Sequence, residues 1–156
     1  MAYHDLFRGS NRLESMLPIG LFGLCRDQPD LPVGDFTKLA DTSCFLVSWD
    51  VMQALAPVAG DAVAFYPTEV EGLERYLMHT PARADAVDED RSTLTKFSGG
   101  KIMIAKNLVL NRSVVERHTF FQLAHGPAGL FAYGEAARVM LDHEFTGIEL
   151  AQVDLS

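Results

Sequence analysis

The chain has 156 residues, 48% of them hydrophobic, with ten Phe, four Tyr and one Trp, which is enough apolar material for one domain with an aromatic-rich core. Its formal net charge is −8, which argues against an autonomous nucleic-acid binder, because phosphate contacts need a surplus of Lys and Arg. The same charge favours solubility and a basic partner.

Residues 1–43 form a turn-rich N-terminal segment, punctuated by Gly9, Pro18, Gly20, Gly23, Pro29, Pro32 and Gly34. Only short helices fit there, and "DFTKLAD" (35–41) would supply a helical turn or two. The one long apolar run is "MLPIGLFGLC" (16–25), too short to span a bilayer and interrupted by Pro18, Gly20 and Gly23. No small-x-small cleavage site follows it, so neither a signal peptide nor a membrane anchor is expected. Cys25 and Cys44 make no CxxC pair and sit beside apolar residues, which reads as buried thiols in a reducing cytoplasm.

From Cys44 the pattern sharpens into an expected core spanning 44–155, the whole chain being read as a single domain. "CFLVS" reads as a short buried strand, after which Ser48 caps a helix whose first turn carries Asp50. Val51, Met52, Leu55 and Ala56 recur at helical spacing, and Pro57 with Gly60 should end the run. "AVAFYPTEV" reads as a strand that Pro67 places at a sheet edge. In "ERYLMHT" (74–80), Tyr76 and Met78 fall on one face and Arg75, Leu77 and His79 on the other. "KIMIAKNLVLN" reads as two short strands or one bent one, and "HTFFQLAH" as another closed by the turn "GPAG".

At the end of the chain, "GLFAY" reads as a strand, "GEAARVMLDHE" as a helix and "GIELAQVDL" as a final strand, with Gly147 joining the last two at positive φ. An offset of 85 lays residues 45–70 on 130–155 without a gap, matching Val51 to Ala136 and Leu55 to Met140. That pattern predicts two strand–helix–strand units around one core. Strands outnumber helices, so the expected class is α+β with a mainly antiparallel sheet.

The densest polar chemistry lies in "RADAVDEDRSTLTKFSGG" (83–100), where Asp85, Asp88, Glu89 and Asp90 cluster. As a calcium loop it lacks the one-three-five spacing, the central glycine and the distal glutamate. Two readings stay open. The stretch is a solvated loop in which Asp85 or Asp88 accepts local backbone amides, or it is a docking patch for a basic protein. Trp49 is either a core-edge residue or an interface anchor. His4, His79, His118, His125 and His143 show no HxH or HxxxH spacing. There is no nucleophile elbow and no phosphate-binding loop, and Gly99-Gly100 reads as a turn. No catalytic residue, cofactor or metal is assigned.

The order of segments carried by "YLMHTPARADAVDEDRSTLTKFSGGKIM", "LVLNRSVVERHTFFQL" and "GLFAYGEAARVMLDHEFTGIELAQV" resembles the Immunity protein 11 family of bacterial polymorphic toxin systems. The matching positions are Tyr76, Asp85, Asp88, Ser92, Phe120 or Phe121, and Thr146-Gly147-Ile148-Glu149-Leu150, within roughly residues 44–154. Ala132 and Tyr133 depart from the strand-then-serine pattern that precedes the last helix in that family. The resemblance implies a cytoplasmic, non-enzymatic antidote that binds a cognate toxin stoichiometrically. An enzyme that reverses toxin damage and an interaction module unrelated to toxins are the alternatives.

Overall fold

The computed structural model describes residues 33–39, 44–100, 102–127 and 129–156. The apolar run 16–25, Cys25, His4 and most of the turn-rich segment lie outside the described residues. What is described is α+β, with mostly antiparallel pairing and little helix.

Two strands, β3 (Ala64–Val70) and β4 (Leu73–His79), form a hairpin closed by Glu71 and Gly72 at φ 50° and 80°. Positive φ at both turn residues gives the backbone twist that matches the strands it joins. With β1 (Phe36–Lys38) and β2 (Phe45–Val47) they make an antiparallel sheet of order β1-β2-β4-β3. Pro67 therefore lies on an edge strand, where its missing amide leaves no second neighbour unpaired. The segment "DFTKLAD" departs from expectation, because residues 36–38 are a strand and not a helical turn. Phe36, Thr37 and Lys38 pair with Val47, Leu46 and Phe45, so a non-local sheet edge decides their conformation.

Helix α1 (Trp49–Ala59) starts where Ser48 Oγ accepts the Val51 amide at 3.4 Å, with Asp50 in the first turn. Pro57 lies inside the helix, and the run ends only at Gly60, φ 51°. In the last turn a proline forfeits a single ladder bond, so the helix continues through it. Helix α3 (Glu135–Asp142) begins at Gly134 with no side-chain cap. Val51, Leu55 and Ala59 of α1 and Ala136 and Met140 of α3 share one buried cluster with Tyr76 and Met78 of β4. Leu77, on the opposite face of β4, packs instead with Cys44, Leu46 and Val70.

The helical half of the 85-residue offset is thus matched by burial, since Val51, Ala136, Leu55 and Met140 all lie in that cluster. The strand half is not. β10 (Phe131–Ala132) pairs with β9 (Phe120–Leu123), while β11 (Asp154–Leu155) pairs in parallel with β8 (Val109–Leu110) in another sheet. Residues 148–153 form no strand. Strand β9 separates two interiors, because Phe120 points into the α1/α3 cluster and Phe121 into a second one. That second cluster holds Ala84 of β5 (Arg83–Ala84), Leu110, and Val115 of the short α2 (Arg112–Val115).

A hydrogen-bonded clasp ties β1 to the segment after α3. Asp35 Oδ2 accepts the Thr146 amide at 3.0 Å and its hydroxyl at 2.7 Å, and the Phe36 amide donates to Thr146 O at 3.0 Å. Ser48 Oγ donates to Asp35 Oδ1 at 2.9 Å, so the residue that caps α1 also closes the clasp. Gly147 lies at φ 80°, as expected, and a Cβ there would sit 2.2 Å from the Phe36 carbonyl oxygen. The Thr146 amide holds the Asp35 carboxyl below its ordinary 3.8, against the opposing effect of burial.

Candidate functional site

The acidic stretch divides by role. Asp88 Oδ1 accepts the Arg91 amide at 3.1 Å, and the Asp88 carbonyl accepts the Ser92 amide at 2.9 Å. Ser92 Oγ accepts the Val109 amide at 2.9 Å and donates to its carbonyl at 3.1 Å, fastening the turn to β8. The Ser156 hydroxyl, followed by the Arg91 amide, lowers the Asp88 carboxyl below its ordinary value. Asp88 is therefore a turn-building residue. Glu89 Oε2 meets Lys96 Nζ at 2.6 Å across an exposed surface, while Asp85 and Asp90 are exposed.

Arg83, Asp85 and Val87 alternate along the extended segment that contains β5, Glu89 follows in the Asp88 turn, and all four line an open cleft of about 760 Å³. The far wall is Gly99, Gly100 and Ile102 at the end of a hairpin formed by β6 (Thr93–Lys96) and β7 (Ile102–Asn107). His125 and Gly126 lie on the β9 side. Asp85 and Glu89 are thus brought to one cleft, whereas Asp88, Asp90 and Trp49 do not line it. The hairpin that forms its wall exposes Phe97, Met103 and Ile104, each 45–53% accessible. Three large apolar side chains exposed on one two-stranded hairpin are more than such an element needs for its own folding.

Trp49 lies on a different surface. It is 51% exposed, and its ring centroid is 5.9 Å from that of Tyr76. Tyr76 donates its hydroxyl to Glu74 Oε1 at 2.5 Å, which raises the phenol above its ordinary value. The β3–β4 register sets Glu69 directly opposite Glu74 and Pro67 opposite Tyr76. His79, buried farther along β4, has its imidazole shifted down by burial and then by the Arg83 charge.

Among the described residues no group of three or more His, Cys, Asp or Glu is placed to hold a metal ion, and no helix is long and apolar enough to cross a membrane. No protein-family model matches the chain, and no curated protein matches it.

Sequence reasoning singled out Asp85, Glu89 and Trp49 but not Glu69, Glu74, Phe97, Met103, Ile104 or Arg83. The signal for the glutamate pair was present. A two-residue turn at Glu71-Gly72 between two strand patterns fixes the register and sets residue 69 against residue 74.

Proposed function

We propose that this chain is an immunity protein, a cytoplasmic antidote that neutralises a cognate bacterial toxin by binding it one to one and not by catalysis. The observation that supports this reading is the surface formed by the braced acidic turn and the β6–β7 hairpin. Apolar Phe97, Met103 and Ile104 lie on the same hairpin whose Lys96 holds Glu89, with Asp85 on the facing wall of the cleft. Exposed large apolar side chains on an element that also carries charged ones are features that protein–protein interfaces draw on. The acid beside them, with the −8 charge of the chain, favours a toxin with a basic surface.

The test is titration of the antidote against its cognate toxic domain, to be sought in the gene directly upstream, following toxin activity. The expected endpoint is one antidote per toxin active site. Complete inhibition at a hundredth of that amount would overturn the reading, because only an enzyme protects substoichiometrically.

A further inference from the structure

The surface around Trp49 has a composition that the fold alone does not require. Glu69 and Glu74 are directly opposite one another on β3 and β4, both are exposed, and neither forms an ion pair among the described residues. Directly opposite residues hold their Cβ atoms about 5 Å apart, and like charges at that spacing are destabilising. An exposed face on which Lys or Arg would relieve the strand pairing instead carries two carboxylates. They lie on the sheet face that Tyr76 shares, as the register Glu69–Glu74, Pro67–Tyr76, Phe65–Met78 shows. That is the face α1 covers, and Trp49 is the first residue of α1.

Each component there is held in position. The Tyr76 ring is buried and stands 5.9 Å from the indole, inclined at 50°, so Trp49 is supported from behind while half of its surface faces water. The Tyr76 hydroxyl fixes one oxygen of Glu74, which leaves the other oxygen to accept from a ligand. The indole presents a π face that attracts cations, and the two glutamates present the negative charge a cation would neutralise.

We infer that Trp49, Glu74 and Glu69 form a subsite for an arginine side chain of a protein partner, the guanidinium stacking on the indole and donating to the carboxylates. The planar guanidinium suits this arrangement better than an ammonium, because it can lie flat on a ring while its edge N–H groups reach oxygens to the side. Its occupation would relieve the Glu69–Glu74 repulsion, a gain that no neutral ligand provides. The assignment of the arginine to a protein rests on the partner-binding reading above. The chemistry of the subsite does not.

Trp49 is the only tryptophan in the chain, so its fluorescence reports this surface and no other. The test is titration of the full protein with acetyl-hexaarginine amide and with acetyl-hexalysine amide at physiological salt. The expected result is a saturable change in Trp49 emission with hexaarginine, and binding weaker by at least about fivefold with hexalysine. Glu74→Gln keeps a carbonyl acceptor for the Tyr76 hydroxyl, so it removes the charge while preserving the support. It should weaken hexaarginine binding at least about fivefold, and Glu69→Gln about threefold. Asp154→Asn removes an equal charge from an exposed position on β11, beside the second cluster, and should leave the affinity unchanged. Absence of a saturable change would overturn the subsite. So would an equal loss from Asp154→Asn, which would reduce the effect to net charge, or hexalysine binding as tightly as hexaarginine. None of these outcomes bears on the toxin titration, which stands or falls by its own endpoint.

Discussion

Gly147 combines two constraints that a pair of variants can separate. Its φ of 80° disfavours any side chain, and its missing Cβ leaves room for the Phe36 carbonyl, which would otherwise lie 2.2 Å away. Gly72 has the same φ of 80° with nothing within 4 Å of its absent Cβ. Gly72→Ala should therefore cost about 1 kcal/mol from conformation alone. Gly147→Ala should cost about 2–4 kcal/mol, because strain and overpacking add. Urea unfolding of both variants checks the difference, and equal costs would mean that the 34–36 backbone yields freely. Acid should act on two other residues in sequence. His79 is held neutral by burial, with its folded value below the ordinary 6.5, so stability declines as pH falls through 6.5 and the unfolded chain binds the proton first. Asp35 works at lower pH. Its folded value is depressed, so its contribution is present above 3.8 and is lost as pH falls through that lowered value. Measured between pH 8 and pH 2, His79→Gln should flatten the upper part of the stability profile and Asp35→Asn the lower part.

At the scale of elements, the acidic stretch and the hairpin beside it make separable predictions. Asp88→Ala removes the acceptor for the Arg91 amide and should lower the melting midpoint with little direct effect on a partner. The double reversal Asp85→Lys with Glu89→Lys keeps the Asp88 acceptor of that turn, at the cost of the exposed Glu89–Lys96 pair, and should weaken binding of a basic partner, by up to a few kcal/mol if both contacts are desolvated. A folded double variant with undiminished affinity would show that the cleft wall takes no part. Replacing Phe97 and Ile104 by Ser should likewise reduce affinity more than stability, since both side chains are about half exposed. Elements were legible from sequence where the signal was local. Ser48 stood just before a helical pattern, the alternation of Tyr76, Leu77 and Met78 set two faces, and Pro67 marked an edge. β1 was not legible, because three residues carry no periodicity and their pairing with 45–47 is made across the sheet. The single turn of α2 is held by Asn111, whose Oδ1 accepts the Ser113 amide at 3.1 Å, and four residues are too few to show a helical repeat. The run 147–155 had the composition of a strand, yet the left-handed turn at Gly147 leads it across β1, and only residues 154–155 find a partner. In the candidate site, the role of Asp88 as a local acceptor was legible, while the lowering influence of the Ser156 hydroxyl on its carboxyl comes from too far along the chain to be foreseen.

For the molecule as a whole, the −8 charge predicts a kinetic effect. Association with a basic partner should slow as salt rises while dissociation changes less, and a flat association rate in stopped-flow measurements would confine the charge to maintaining solubility. The clasp has a further consequence, for the order of events during synthesis. Asp35 and Thr146 are 111 residues apart, so β1 leaves the ribosome long before the segment that secures it. At about 5–20 residues per second, that interval lasts on the order of 5–20 seconds. Throughout it, Phe36 lacks the Thr146 carbonyl that its amide will meet, and Met140 of α3 has yet to join the cluster around Leu55. A nascent chain halted before Thr146 should thus remain open to protease and available to chaperones. Protection should then appear abruptly once the segment around Thr146 has left the ribosome and reached Asp35.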